Sequence, residues 1–133
     1  METAVKERFI LWAREFFKTE VSKLTKNNYE LVEVPPPGIT SIAGTKIKIA
    51  FESIEFNEFV FGNFICGPGF DPKDKFLACI AHEAMHAIYP ELNQEGRWDD
   101  LSIEISTWEK VAEIFPRFAR IAKKFIAHIG GGA

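Results

Sequence analysis

Apolar residues recur at helical spacing through residues 3–26. Phe9, Trp12, Phe16 and Leu24 share one side, and Lys and Glu fill the other. This pattern predicts an amphipathic helix whose aromatic stripe faces a core. The period then changes. Tyr29–Val34 reads as a strand stopped by Pro35-Pro36-Pro37-Gly38, and in Thr45–Glu52 the apolar Ile47, Ile49 and Phe51 face away from Lys46, Lys48 and Glu52. That alternation predicts a strand with one solvated face. Glu58–Cys66 is a further β-like run, with Gly62 marking a bulge or a close backbone approach. Cys66-Gly67-Pro68-Gly69 then breaks regular structure.

The second half is helical. Asp71 fits an N-cap, Pro72 the first helical position and Asp74 the acidic first turn, and the helix runs to Tyr89, where Pro90 closes it. Residues 90–98 form a polar connection. Another helix starts near Asp99 or Asp100 and reaches Phe115, and Pro116 opens or kinks a final helix over 116–128. Strands and helices are segregated along the chain, which predicts an α+β domain with a small mixed or antiparallel sheet. Residues 1–129 are expected to form one domain, with 130–133 as a flexible tail.

Composition narrows the class. The chain has 133 residues, 47% of them hydrophobic, enough for one self-sufficient core. A net charge of -3 argues against bulk phosphate neutralisation, so no nucleic acid is expected as a partner. No apolar run reaches the roughly 18 residues of a membrane helix. Two cysteines, Cys66 and Cys79, are too few for a disulfide scaffold. The charged N-terminus carries no signal-like segment. The expectation is a cytoplasmic protein, a monomer or small homo-oligomer, without a membrane partner.

The candidate chemistry lies in His82-Glu83-Ala84-Met85-His86, an HExxH string on the helix marked out by Asp71 and Pro90. Residues four apart on a helix lie one above the other, so His82 and His86 present two imidazoles to one point. Neutral imidazoles are good zinc ligands, and Glu83 is placed beside them to accept a proton from a water that the metal activates. The alternative is a buried helix whose two histidines are satisfied by hydrogen bonds. Leu77, Ile80, Ala81, Ala84 and Ile88 make this helix apolar nearly all round, so both imidazoles need partners. Cys79 projects onto the same face one turn earlier and reads as a small buried hydrophobe.

A third protein ligand is required. The extended pattern HExxHxxGxxH fails, because Tyr89 and Leu92 stand at its Gly and final His positions and Pro90 breaks the helix. In the next helix, Leu101, Ile105, Trp108, Val111, Ala112 and Phe115 form an apolar stripe, and Glu104 falls inside it. Glu109 and Glu113 fall opposite, with Ser102 and Ser106. A lone carboxylate on a buried face is costly unless compensated, and a divalent cation would compensate it. The competing reading pairs Glu104 with Arg97 or a lysine.

His82-Glu83-Ala84-Met85-His86 followed by Glu104-Ile105-Ser106-Thr107-Trp108-Glu109 resembles the gluzincin clan of zinc peptidases, and most closely its compact, single-domain minigluzincins. The likeness covers roughly residues 45–115 in layout, and its motif content is these two short segments. It implies a zincin-like fold, a zinc ion (Zn2+) held by His82, His86 and Glu104, and Glu83 as general base in the hydrolysis of a peptide or unfolded protein. It also implies an edge strand, here within Phe59–Cys66, that pairs with an extended substrate. Tyr89, His128 and Arg97 are the candidates for stabilising the oxyanion. A second reading is a zinc-stabilised binding or regulatory domain without efficient turnover, with 1–8 or 117–133 occupying the cleft in a latent form. A third is a helical adaptor with no metal.

Overall fold

The computed structural model of the chain describes residues 3–26, 29–33, 41–43, 46–49, 65–93, 96–97 and 99–130. Among these residues, four helices and a small sheet follow one another: α1 (Thr3–Thr19), β1 (Glu30–Glu33), β2 (Ser41–Ala43), β3 (Lys46–Ile49), α2 (Pro72–Ile88), α3 (Leu101–Ile114) and α4 (Ala119–Ile129). The sheet is mixed. Its central strand β3 pairs parallel with β1, Leu31 opposite Ile47, and antiparallel with β2, Ile42 opposite Ile47.

Helix α1 is shorter than its periodicity suggests. It ends at Thr19, and Val21–Lys23 form a tight 3₁₀ turn. The Thr19 hydroxyl donates to the Glu15 carbonyl (2.8 Å) and the Ser22 hydroxyl to the Lys18 carbonyl (2.6 Å). Such side-chain bonds compete with the helical ladder. The turn leaves Val21 buried. β2 has no signature in the sequence, since three residues with one large apolar side chain are too few for a period of two. The expected strand Glu58–Cys66, and with it the substrate-pairing edge within Phe59–Cys66 and the bulge at Gly62, lies outside the described residues, apart from Ile65 and Cys66, which form a bend.

α2 starts where its sequence says. The Asp71 side chain accepts from the Lys73 amide (3.0 Å), and Pro72 opens the first turn. Before it, Gly67 and Gly69 take φ of +75° and +91°, conformations open to glycine and costly for other residues. The helix stops at Ile88 because a residue preceding proline is pushed out of the helical region: Tyr89, before Pro90, is extended (φ −104°, ψ 111°). Pro90–Leu92 then make one 3₁₀ turn. The Asp100 carboxylate caps α3 by accepting from the Ser102 amide (3.0 Å). The final helical stretch divides into a 3₁₀ turn, Pro116–Phe118, and α4.

The core is aromatic. From α1, Phe9 meets Phe76 of α2 edge-on (4.8 Å between ring centres), and Phe16 packs on Phe115 (5.2 Å) and Phe118 (6.0 Å). Phe76, Leu77, Ala78, Ile80, Ala81, Ala84 and Met85 are all buried, so α2 is enclosed on most sides. α4 buries Ile121, Ala122 and Phe125 and is therefore part of this core. Replacing the fully buried Phe118 by Ala should cost about 3–5 kcal/mol in urea unfolding. The same change at Leu11, 64% exposed, should stay within about 0.5 kcal/mol.

Candidate metal centre

His82 and His86 stand one turn apart on α2 and are both buried. α3 crosses beside them and presents Glu104 between the two rings. Nε2 of His82 lies 2.9 Å from one carboxylate oxygen of Glu104, and Nε2 of His86 lies 3.0 Å from the other. One ligand atom from each of the three residues falls within 4.8 Å of the other two. Arg97 is not the partner of Glu104: its guanidinium donates to the Asn93 carbonyl (2.6 Å). The apolar stripe of α3 is turned slightly from its expected position. Ile103, Thr107, Trp108 and Val111 are buried while Leu101 is exposed, and Glu104 still sits on the inner face.

The other nitrogen of each ring determines which lone pair is free. His86 Nδ1 donates to the Leu92 carbonyl at 2.6 Å, so its proton is on Nδ1 and its Nε2 faces Glu104. That buried Nε2 has no well-directed hydrogen bond, despite the carboxylate oxygen 3.0 Å away. On His82, Nδ1 faces the Glu83 carboxylate at 3.4 Å. His86 Nε2 therefore turns a lone pair toward the carboxylate without a proton between them, while His82 Nε2 shares a hydrogen bond with the other oxygen; a cation would satisfy all three groups. Histidine ligands characteristically donate their second nitrogen to a carbonyl or carboxylate in this way. Tetrahedral zinc with bonds of about 2.0–2.1 Å separates its ligand atoms by about 3.3 Å; the two nitrogen–oxygen contacts here are 2.9 and 3.0 Å, and the three ligand atoms all lie within 4.8 Å of one another. The residues fit the ion.

The electrostatics reflect the same convergence. Burial opposes a charge on His82, but its hydrogen bonds with Glu104 and Glu83 outweigh that penalty and hold the imidazole up at about 9. Burial also disfavours charge on Glu104, yet the two imidazoles hold it far below the usual carboxylate range. Cys79 is a free, half-buried thiol one turn before His82, pushed up to about 12 by burial and by the neighbouring Cys66 and Glu83. It stays protonated, consistent with a packing role.

Glu83 lies on the Nδ1 side of His82, with 17% of its side chain exposed. Tyr89 ends α2 with its ring under the Lys110 ammonium (4.9 Å), Arg97 is engaged at Asn93, and His128 is exposed on α4. The Leu92 carbonyl is invisible to motif reading, because any residue carries one. Its signal is indirect: Pro90 ends the helix and turns the chain back toward His86. Trp108 reads as core in the sequence, but its indole stacks on the His82 ring (4.5 Å between centres, 20° between planes). Among the described residues no helix is long and apolar enough to cross a membrane. No family model, curated protein or solved structure matches the chain.

The pH dependence of stability has a definite sign. Folding raises the His82 pKa from its ordinary 6.5 to about 9, so its contribution is complete below 6.5 and is lost as pH rises through 9. Folding lowers the Glu104 pKa from its ordinary 4.5, so its contribution is complete above 4.5 and is lost in acid. In metal-free protein both contributions are present together between pH 4.5 and 6.5. Zinc requires the neutral imidazole, so its stabilisation follows the opposite trend. The stability gap between zinc-loaded and chelator-treated protein should widen as pH rises, by up to ~1.4 kcal/mol per pH unit for the proton displaced from His82, and level off above about pH 9. Chemical unfolding at a series of pH values measures it, and parallel curves would count against ligation by His82.

Proposed function

We propose that the protein is a zinc-dependent endopeptidase of the gluzincin type, with a zincin-like fold, acting on extended or unfolded polypeptide. The observation that carries the reading is the meeting of His82, His86 and Glu104 from two helices, with both Nε2 atoms directed at one carboxylate. When bound, zinc would polarise the substrate carbonyl and acidify the attacking water. The chain's own residues supply the rest. Leu92 holds His86 in the tautomer that offers Nε2, and Glu104 brings a negative charge that stabilises a cation beside the two rings. Glu83, partly open to solvent on the same turn, takes the proton of the attacking water and passes it to the leaving amine.

One observation favours a second reading, a zinc-stabilised binding or regulatory domain. The Glu83 carboxylate lies 3.4 Å from His82 Nδ1, the ring nitrogen on the side away from Glu104. The two readings part at one substitution. Glu83→Gln should keep zinc and the fold while lowering cleavage of an unstructured protein such as casein by about 10²–10⁴-fold. Glu104→Ala should lose tight zinc binding altogether. Zinc-loaded wild-type protein that is stabilised by the metal but cleaves nothing would favour the binding domain.

A further inference from the structure

The two histidines are oriented by different forces. His86 is held by a short hydrogen bond from Nδ1 to the Leu92 carbonyl, 2.6 Å. His82 has a longer contact at Nδ1, 3.4 Å to Glu83, and its Nε2 meets Glu104 at 2.9 Å, the group it would share with a metal. The face of the ring is a different matter. The Trp108 indole lies flat on it, 4.5 Å between centres and 20° between planes. Phe125 of α4 lies equally flat on the indole, at 4.2 Å and 13°. Two rings stacked this closely cannot share one face without overlap, so the indole is clamped between imidazole and phenyl. His86 meets the His82 ring edge-on at 4.7 Å and 84°. Trp108 is 3% exposed, Phe125 6%.

We infer that Trp108 is a positioning residue for the metal centre: it sets the ring plane of His82, as the Leu92 carbonyl sets that of His86, and Phe125 braces it from behind. This rests on the reading of His82 and His86 as metal ligands. Glu104 and Trp108 are four residues apart on α3, so one helix face delivers both the third ligand and the slab that aims the first. An imidazole free to swing about its Cβ–Cγ bond must be ordered each time a metal binds, and the stack removes that cost beforehand. A flat aromatic surface is what the role requires. Phe can supply it in place of Trp, and Leu cannot.

The test is metal affinity at fixed pH, by competition with a chromogenic chelator, together with the visible spectrum of the cobalt-loaded protein. Trp108→Phe should bind zinc within about threefold of wild type and keep the cobalt bands. Trp108→Leu should bind about 10–100-fold more weakly, with shifted bands. Phe125→Leu, which leaves the indole in place but removes its brace, should shift both readouts in the same direction by a smaller amount. It also decides the matter if Trp108→Leu fails to fold. Loss of core packing alone lowers the unfolding temperature of the metal-free protein without altering the cobalt spectrum of the folded fraction. Folded Trp108→Leu or Phe125→Leu with wild-type affinity and bands would overturn the role of Trp108 while leaving the metal centre standing. A wild-type chain that takes up neither ion would overturn the metal centre itself, and this role with it.

Discussion

A carboxylate on the inward face of α3 has to be neutralised, and two imidazoles from the neighbouring helix are what meet it. Glu104 gives one oxygen to His82 and the other to His86. Each partner is costly to bury alone, and removing one leaves an uncompensated group inside the protein. The arrangement therefore links the packing of α2 against α3 to the chemistry between them. The helices cannot slide by a turn without exposing the core or separating the carboxylate from a ring.

α2 carries that double duty because it is enclosed. Phe76, Ile80, Ala84 and Met85 anchor it among α1, the sheet and the C-terminal helices, and the histidines occupy what remains of its circumference. Small residues matter here. Ala78, Ala81 and Ala84 are at most 1% exposed, so much of the buried surface of α2 is made of small side chains. A rigid support of this kind holds ligands more closely than a loop does.

Much of this was legible in the residues, for reasons that differ by element. The start of α2 was readable because Asp71 and Pro72 act locally, through one side-chain hydrogen bond and one fixed dihedral. Glu104 was readable because a charge inside an apolar stripe is an anomaly that periodicity exposes. The end of α1 was not, since the stripe carries on through Val21 and Leu24 while two hydroxyl–carbonyl bonds divert the backbone. β2 was not, being too short to have a period. The tilt of α3 escaped as well: Leu101 belongs to the stripe in projection but lies on the first turn, beyond the reach of the core. The Leu92 carbonyl and the stacking of Trp108 depend on tertiary placement, and no residue type announces them. Glu83 is the instructive case. Its position in the motif suggests a role toward the metal, whereas its contact is with the far nitrogen of His82.

The clamp of His82, Trp108 and Phe125 has a consequence for the order of events during synthesis. Phe125 follows His82 by 43 positions (125 − 82). A nascent chain emerging from the ribosome exposes both imidazoles long before the carboxylate, the indole and the phenyl ring exist outside the exit tunnel. In that interval α2 is a pair of loosely oriented histidines with nothing to complete them. The triad of His82, His86 and Glu104 and the stack that braces it are thereby completed only when α4 docks, so the site is assembled after its first two side chains rather than with them.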